Sequence, residues 1–197
     1  QHGSVVDHSV EGVQRFLRYT LDCIGITVQP EQTSAWDAVP EAGPVLVVGN
    51  HPLGGAEGMA MTEQLLSVRP DLLVLTNEIL TKIPELSSVF VGVNVLSASA
   101  QSRNAKGIKT VLKHIKKGGA VLMYPSGIVS ATNAETGEVE DPEWNRVAGM
   151  LARRANATVV PCYVEARNSE HFYTAGRIHP RLRTLLLIRE MLNKFGS

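Results

Sequence analysis

The sequence has little cysteine, no excess of either charge and no long apolar run. Among its 197 residues there are only two cysteines, Cys23 and Cys162, which favours free thiols in a reducing compartment over a disulfide scaffold. The 19 Lys and Arg residues balance 19 Asp and Glu residues, so no overall positive field indicates nucleic acid binding. No apolar run approaches the roughly 20 residues that a spanning helix needs. Together, these features predict a cytoplasmic protein without a transmembrane segment and without a nucleic acid partner.

The composition is that of a folded domain. Hydrophobic residues make up 44% and charged residues 19% of the chain, a ratio that allows a sizeable core and argues against disorder. The length favours one domain, which we place at residues 5–197. The opening residues QHGS resemble the remnant of an expression tag and are left out of the fold prediction.

Apolar periodicity predicts alternating helices and strands. An amphipathic helix at the amino end and a strong helical pattern at 102–117 are the clearest signals. The predicted helices cover 6–24, 56–67, 102–117, 144–155 and 181–194, and the predicted strands cover 26–28, 45–48, 72–75, 89–95, 120–124 and 158–165. This alternation predicts an α/β fold with a mostly parallel central sheet flanked by helices. Ligands bind beyond the carboxyl ends of the strands in such sheets.

A glycine-rich turn follows the strand predicted at 45–48. It carries His51 and Glu57, with Gly54 and Gly55 between them. One interpretation is chemical: the carboxylate orients the imidazole, as in a catalytic triad. The other is structural, because Glu57 also stands where a helix would start and the helix dipole favours a carboxylate there. The turn has neither phosphate-loop nor dinucleotide-loop spacing, and two local ligands are too few for a metal site.

A second turn, MYPSGIVSA at 123–131, follows the strand predicted at 120–124. Pro125 and Gly127 favour a sharp bend whose amides can bind an anion or an oxyanion. Ser126 suggests a hydrolase, but Tyr124 stands where a nucleophile elbow requires glycine. An ordinary turn explains the same residues equally well.

Two basic features have more than one interpretation. Lys106, Lys109, Lys113 and Lys116 form a stripe on the helix predicted at 102–117, either as a solvated face or as a surface that attracts phosphates of a carrier or of a membrane. The final stretch, basic at its start and then apolar, is either a core helix or a helix in contact with lipid.

Several ordered blocks together resemble the glycerolipid and lysophospholipid acyltransferase superfamily, in particular the branch of hemolysin-like and lyso-ornithine-lipid acyltransferases. The resemblance covers roughly residues 45–194. The blocks are NHPLGG at 50–55, the run from GG at 118–119 to YPSGIVS at 124–130, the run from VP at 160–161 to ARNS at 166–169, and FYTAGRIHPRLRTLLL at 172–187.

The resemblance implies the roles of the candidate site residues. His51 corresponds to the catalytic histidine of the family, and Glu57 to its acidic partner, with Glu in place of Asp and one extra intervening residue. Ser126 replaces the glutamate of a Phe-Pro-Glu-Gly block, which argues against glycerol 3-phosphate as the acceptor. The implied substrate-binding residues are Asn50, Gly54, Gly55, Arg103, Tyr124, Pro125, Ser126, Gly127 and Pro161.

By this resemblance, the chain is expected to move a fatty acyl group from acyl-CoA or acyl-carrier protein to a hydroxyl of a lyso-lipid or similar amphiphile. His51 would act as general base and Glu57 would orient it, with no metal and no cofactor. The protein would work as a peripheral protein on the inner face of the membrane. Two alternatives stay open: a serine esterase that uses Ser126, and a non-catalytic module that binds acyl groups or lipids.

Overall fold

A parallel sheet forms the centre of the structure, a computed structural model that describes residues 6–28, 36–93, 101–178, 185–187 and 189–190. Five strands lie in this sheet in the order β3-β2-β4-β1-β7, and all neighbours run parallel. A separate antiparallel pair, β5 with β6, follows β4 in the chain. The strands are β1 (Val45–Gly49), β2 (Leu73–Asn77), β3 (Phe90–Val93), β4 (Ala120–Met123), β5 (Ala131–Thr132), β6 (Val139–Glu140) and β7 (Thr158–Cys162).

Helices connect the strands and cover both faces of the sheet. They are α1 (Val10–Cys23), α2 (Gly55–Val68), α3 (Gln101–Lys116), α4 (Val147–Ala155) and α5 (Glu170–Ile178), with short 3-10 turns at Glu78–Lys82 and Pro84–Leu86. Residues 185–187 and 189–190 are also helical. Within the described ranges, no helix has both the length and the hydropathy needed to cross a membrane.

Alternate residues of the central strands pack into two different apolar layers. In β1, Val45 and Val47 face α1 and α2, whereas Leu46 and Val48 face α3 and α4. All five residues of β1 are buried, as expected for a central strand covered on both faces. A third, smaller cluster joins Val129 to α5 and to residues 186 and 187. The α/β fold with a parallel sheet and an amino-terminal amphipathic helix is therefore confirmed.

Several predicted boundaries need correction. The first helix starts at Val10 because the side chain of Ser9 caps it by accepting a hydrogen bond from the amide of Gly12. The strand predicted at 26–28 is wrong: Gly25 turns the chain with a φ of 68°, and no described strand pairs with these residues. The loop predicted at 133–142 contains β6, and α5 was not predicted at all. Most of the helix predicted at 181–194, and residues 94 and 95 of the strand predicted at 89–95, lie outside the described residues.

Strand β7 and helix α4 are shorter than the periodicity predicts. Strand β7 ends at Cys162, because beyond it the side chain of Asn50, not its backbone, pairs with Val164. Helix α4 starts at Val147, whose amide donates to Oδ1 of Asn145 at 3.0 Å. Residues 144–146 belong instead to a loop in which Trp144 donates to Asp141 and the amide of Asn145 donates to the carbonyl of Pro125.

A buried arginine binds main-chain carbonyls at the opposite, amino end of the sheet. Only 2% of Arg69 is exposed, and its guanidinium donates to the carbonyl oxygens of Pro40, Gly43 and Gly118 at 2.8–3.1 Å. It also forms a bidentate pair with Asp71, both distances being 2.9 Å. These acceptors lie just before β1, β2 and β4, so one side chain holds together the starts of three central strands.

Candidate active site

The candidate site lies where two neighbouring strands end. Strands β1 and β4 pair along their length, with Val48 opposite Met123, so the residues that follow them emerge side by side. His51 and Tyr124 therefore meet, with their ring centroids 4.5 Å apart and their planes inclined by 22°. The two strand-end turns that the sequence singled out thus form one site at the carboxyl end of the sheet, as expected for parallel α/β sheets.

His51 and Glu57 form a close pair. Nδ1 of His51 lies 2.7 Å from Oε1 of Glu57, and the two side chains are 18% and 2% exposed. The contact is short, but Nδ1 makes no hydrogen bond of good geometry within the described part of the chain. Catalytic hydrogen bonds commonly tighten only when substrate is bound. Nε2, the other ring nitrogen, makes no hydrogen bond with any described residue.

Glu57 also caps a helix. It is the third residue of α2, and the same Oε1 accepts the amides of Gly54 at 2.9 Å and of Leu53 at 3.2 Å. Only the glutamate half of a capping box is present, because the N-cap residue is a glycine. The two amides and the helix start stabilise a negative charge on this carboxylate. Oε1 of Glu57 therefore fits both interpretations, because it accepts the amides at the start of α2 and also contacts the imidazole of His51.

Gly54 has a backbone conformation that the turn requires. Its φ is +92°, in the region that side chains other than glycine rarely adopt. A Cβ at this position would also lie 3.2 Å from side-chain atoms of Val129 and Leu187. Its amide is occupied by Glu57, so it positions the acid and is not available to a substrate. Gly55, also predicted to bind substrate, is the first residue of α2.

Tyr124 lies against the imidazole. Its hydroxyl donates to Sδ of Met61 at 3.3 Å. Burial raises the pKa of the Tyr124 phenol well above its usual value, and the negative charge of Glu57 and the nearby Cys162 add to the effect. The ring that the sequence assigned to substrate binding thus supports one face of His51 in this structure.

The turn after β4 is closed by its own hydrogen bonds. The hydroxyl of Ser126 donates to the carbonyl of Ile128 at 2.9 Å, and the amide of Gly127 donates to the carbonyl of Tyr124 at 3.0 Å. The carbonyl of Pro125 accepts from the amide and the side chain of Asn145. The only described partner of the His51 ring nitrogens is Glu57, so the structure contains no Ser126–His51 hydrogen bond of the kind a serine esterase uses.

Three other predicted residues have different positions. Asn50 pairs with Val164 through both ends of its amide, at 2.7 and 3.0 Å, which ties the end of β1 to the segment after β7. Pro161 lies exposed on β7, an edge strand where its missing N–H is tolerated. Arg103 is in the first turn of α3, and its side chain lies outside the part of the chain that the structure describes.

Two residues of the site were missed by the sequence analysis. Both oxygens of Asp141 accept the backbone amide of His51, at 3.0 and 3.1 Å. The side chain of Asn168, which is 6% exposed, donates to the carbonyl of Pro52 at 3.0 Å. Asp141 is one of four acidic residues between 133 and 142, and no periodicity marks it. Among the described residues, no three His, Cys, Asp or Glu side chains are grouped to hold a metal ion.

A histidine–carboxylate pair at the carboxyl end of a parallel α/β sheet is an arrangement that can transfer protons. In comparison with known proteins, the family described as Acyltransferase matches residues 11–194. The chain belongs to this acyltransferase family.

Two relatives of this chain have names that state a more specific activity. The chain is 30% identical over 141 residues to a lyso-glycine lipid O-acyltransferase of Phocaeicola vulgatus, a match that covers 71% of this chain and 48% of the relative. It is 28% identical over 142 residues to a lyso-glycine lipid O-acyltransferase of Bacteroides thetaiotaomicron, with 71% and 50% covered. The chain thus spans about half the length of these relatives.

Proposed function

We propose that this chain transfers a fatty acyl group from an acyl thioester to a hydroxyl of a lyso-lipid or a similar amphiphile. The family assignment supports acyl transfer, and the names of the two relatives support a lyso-lipid acceptor and an oxygen nucleophile. The single observation that carries the proposal is the pair of His51 and Glu57, 2.7 Å apart, with the imidazole partly open to solvent.

The proposed reaction is direct transfer. Nε2 of His51 takes the proton of the acceptor hydroxyl as that oxygen attacks the thioester carbonyl. Glu57, close to Nδ1, stabilises the imidazolium that forms. Collapse of the tetrahedral intermediate breaks the C–S bond, and the leaving thiolate takes the proton from His51. The products are an ester and a free thiol, and the imidazole returns to its neutral form.

The donor and the oxyanion site belong to the proposal as well. Acyl-CoA or acyl-carrier protein would supply the thioester. Since the amides of Gly54 and Gly127 already donate to Glu57 and Tyr124, the amide of Ser126 is the better candidate for the developing oxyanion. It donates to no described residue in this structure.

A membrane surface is the proposed place of action. Lys106, Lys109, Lys113 and Lys116 are all exposed on α3, and the helix carries no acidic residue. Such a stripe can attract an anionic surface, in keeping with an amphiphilic acceptor. We therefore propose peripheral binding at the inner face of the membrane, with the chain in the cytoplasm.

Product analysis tests this function. The protein is incubated with acyl-CoA or acyl-carrier thioester and a panel of lyso-lipids and amines, and the lipid products are identified by mass spectrometry. The proposal expects an O-acylated lyso-lipid that requires both substrates. His51→Ala should lower its rate by about 10²–10⁴-fold, the range for positioned acid–base groups. Hydrolysis of the thioester with no lipid product, or full activity of His51→Ala, would refute the proposal.

A further inference from the structure

Three donors from three segments of the chain converge on the carboxylate of Asp141. The backbone amide of His51 donates to both oxygens at 3.0 and 3.1 Å. The hydroxyl of Ser130 donates at 2.5 Å, and Nε1 of Trp144 donates at 3.0 Å. None of these donors is needed to form the sheet, and Asp141 itself follows directly after β6.

These contacts fix the main chain of His51 on both sides. Its amide is held by Asp141, and its carbonyl accepts the amide of Ser130 at 2.8 Å. Because Ser130 is also bonded to Asp141, the three residues form a closed ring of hydrogen bonds. Strand β1 ends at Gly49, so the sheet no longer holds the backbone at His51 and this ring takes over.

A carboxylate can accept from all three donors without any of them turning away. An ionised Asp only accepts hydrogen bonds, so it can satisfy three donors at once. An asparagine would turn an NH2 group toward at least one of them. Hydrogen bonds to an ionised acceptor are also stronger than neutral ones, which suits a contact that has to resist displacement.

We propose that Asp141 is a positioning residue for acyl transfer. It acts through the backbone of His51, keeping Nδ1 against Glu57 and Nε2 toward the acceptor. This proposal rests on the proposed function, because the rate that it controls is that of the acyl transfer. Misplacing a catalytic group by about 1 Å can lower a rate by roughly 100-fold, so a small shift of this backbone would be costly.

The test compares Asp141→Asn with Glu140→Gln, which removes the neighbouring charge without touching His51. Glu140 pairs instead with Asn133. We expect Asp141→Asn to lower kcat by about 10- to 100-fold with KM changed less than about threefold, since substrate contacts are kept while the base is misplaced. Glu140→Gln should keep kcat within about twofold. A normal kcat in Asp141→Asn, or an equal loss in Glu140→Gln, would overturn the proposal.

A second measurement does not depend on activity. In protein labelled with ¹⁵N-histidine, the ring signals of His51, assigned through His51→Gln, should shift in Asp141→Asn and stay in place in Glu140→Gln. If the Asn variant does not fold, Asp141→Glu takes its place: it keeps the charge but moves the carboxylate, so kcat should fall partly and the His51 ring signals should shift. Unchanged His51 signals in a folded variant would also overturn the proposal. If the His51 signals shift in Asp141→Asn but the wild-type protein transfers no acyl group, the proposed function alone is refuted.

Discussion

At the scale of single residues, one oxygen of Glu57 makes two kinds of contact. Oε1 caps α2 through the amides of Gly54 and Leu53 and lies beside the imidazole of His51. A helix cap that forms with the fold therefore places the acid before any substrate binds. In the proposed reaction, this arrangement lowers the cost of orienting His51. The charge of Glu57 can be tested separately from its cap, because glutamine can also cap a helix.

Tyr124→Phe tests whether the ring or the hydroxyl of Tyr124 matters. The variant keeps the stack on His51 and loses only the hydrogen bond to Met61. Since burial and Glu57 raise the pKa of the phenol well above its usual value of 10.0, Tyr124 stays neutral at assay pH and contributes no proton. We expect kcat/KM within about threefold of wild type. A pH–rate profile between pH 6 and about 10 should keep its shape; an alkaline limb that disappears in the variant would contradict this role.

Sequence reasoning found His51 and Glu57 but not their supports. A histidine and a carboxylate on a strand-end turn are visible as a local pattern. Asp141 and Asn168 contact that turn from 90 and 116 residues away. Such contacts leave no periodic trace, because they depend on how loops cross the end of the sheet. The stacking of Tyr124 on His51 likewise depends on β1 and β4 being neighbours, which the order of strands in the chain does not specify.

At the scale of elements, apolar patterns in the sequence predict most of the fold. Helices α1 and α3 place a regular apolar face on the core, whereas β1 and β4 are continuous apolar runs covered on both faces, so all four appear near their predicted positions. Helix α5 was missed: it is short, and Phe172 and Tyr173 pack on a small cluster above the sheet and not on the main core. The predicted strand at 26–28 failed because this short segment, Ile-Thr-Val, has no pairing partner among the described strands.

Two glycines of the segment at α2 should respond to alanine with opposite signs. Gly54→Ala forces a Cβ onto a φ of +92° and against Val129 and Leu187, so we expect the unfolding free energy to fall by about 1–3 kcal/mol. Gly58 lies inside α2 with open space around it. Gly58→Ala should raise the unfolding free energy by up to about 1 kcal/mol, since alanine favours helix. Urea denaturation measures both values. A stable Gly54→Ala would show that the turn does not require this conformation.

At the scale of the whole molecule, the amino ends of the central strands carry contacts that stabilise the fold, and their carboxyl ends carry the candidate active site. Arg69 and its acceptors hold the starts of the central strands, while the ends of the same strands carry His51 and Tyr124. The polar contacts at the amino end therefore contribute to stability without touching the proposed reaction. The two ends can be tested separately.

Arg69→Met should lower the unfolding free energy by roughly 3 kcal/mol, because it removes a buried charge partner and leaves three carbonyls without their donor. The rate of acyl transfer per folded molecule should be unchanged.

Burial opposes ionisation of Asp71, but the hydrogen bonds and charge of Arg69 outweigh it and lower the pKa of that carboxyl. The contribution of ionised Asp71 to the free energy of unfolding is therefore present above the usual carboxyl pKa of 3.8 and is lost as the pH falls below that value.

Asp71→Asn serves as the matched control. The side chain of Asp71 is 43% exposed, so its loss should cost less than that of Arg69. Urea denaturation between pH 3 and 7, a range about the usual carboxyl pKa, should show a smaller acid-induced loss in this variant than in wild type. Equal stability of Arg69→Met and wild type would contradict the structural role of the arginine.

The lysine stripe on α3 should mediate the proposed peripheral binding to an anionic membrane. The double variant Lys109→Gln/Lys113→Gln should bind anionic vesicles roughly tenfold or more weakly, since each basic residue near such a surface contributes about 1 kcal/mol. Lys82→Gln/Arg177→Gln removes two exposed charges elsewhere and should bind as wild type does. High salt should weaken wild-type binding. Equal binding of wild type to neutral and anionic vesicles in sedimentation would remove the electrostatic argument.

The central claim is that His51 and Glu57 act as one unit, and a double-mutant cycle on kcat/KM tests it most directly. His51→Ala, Glu57→Gln and the double variant are compared with wild type, with unfolding measured in parallel because Glu57 also caps α2. If Glu57 acts on the reaction only through His51, Glu57→Gln should cost activity in the wild-type background and less than about twofold once His51 is alanine. Fully additive losses in folded variants would contradict the account, because Glu57 would then act independently of the imidazole.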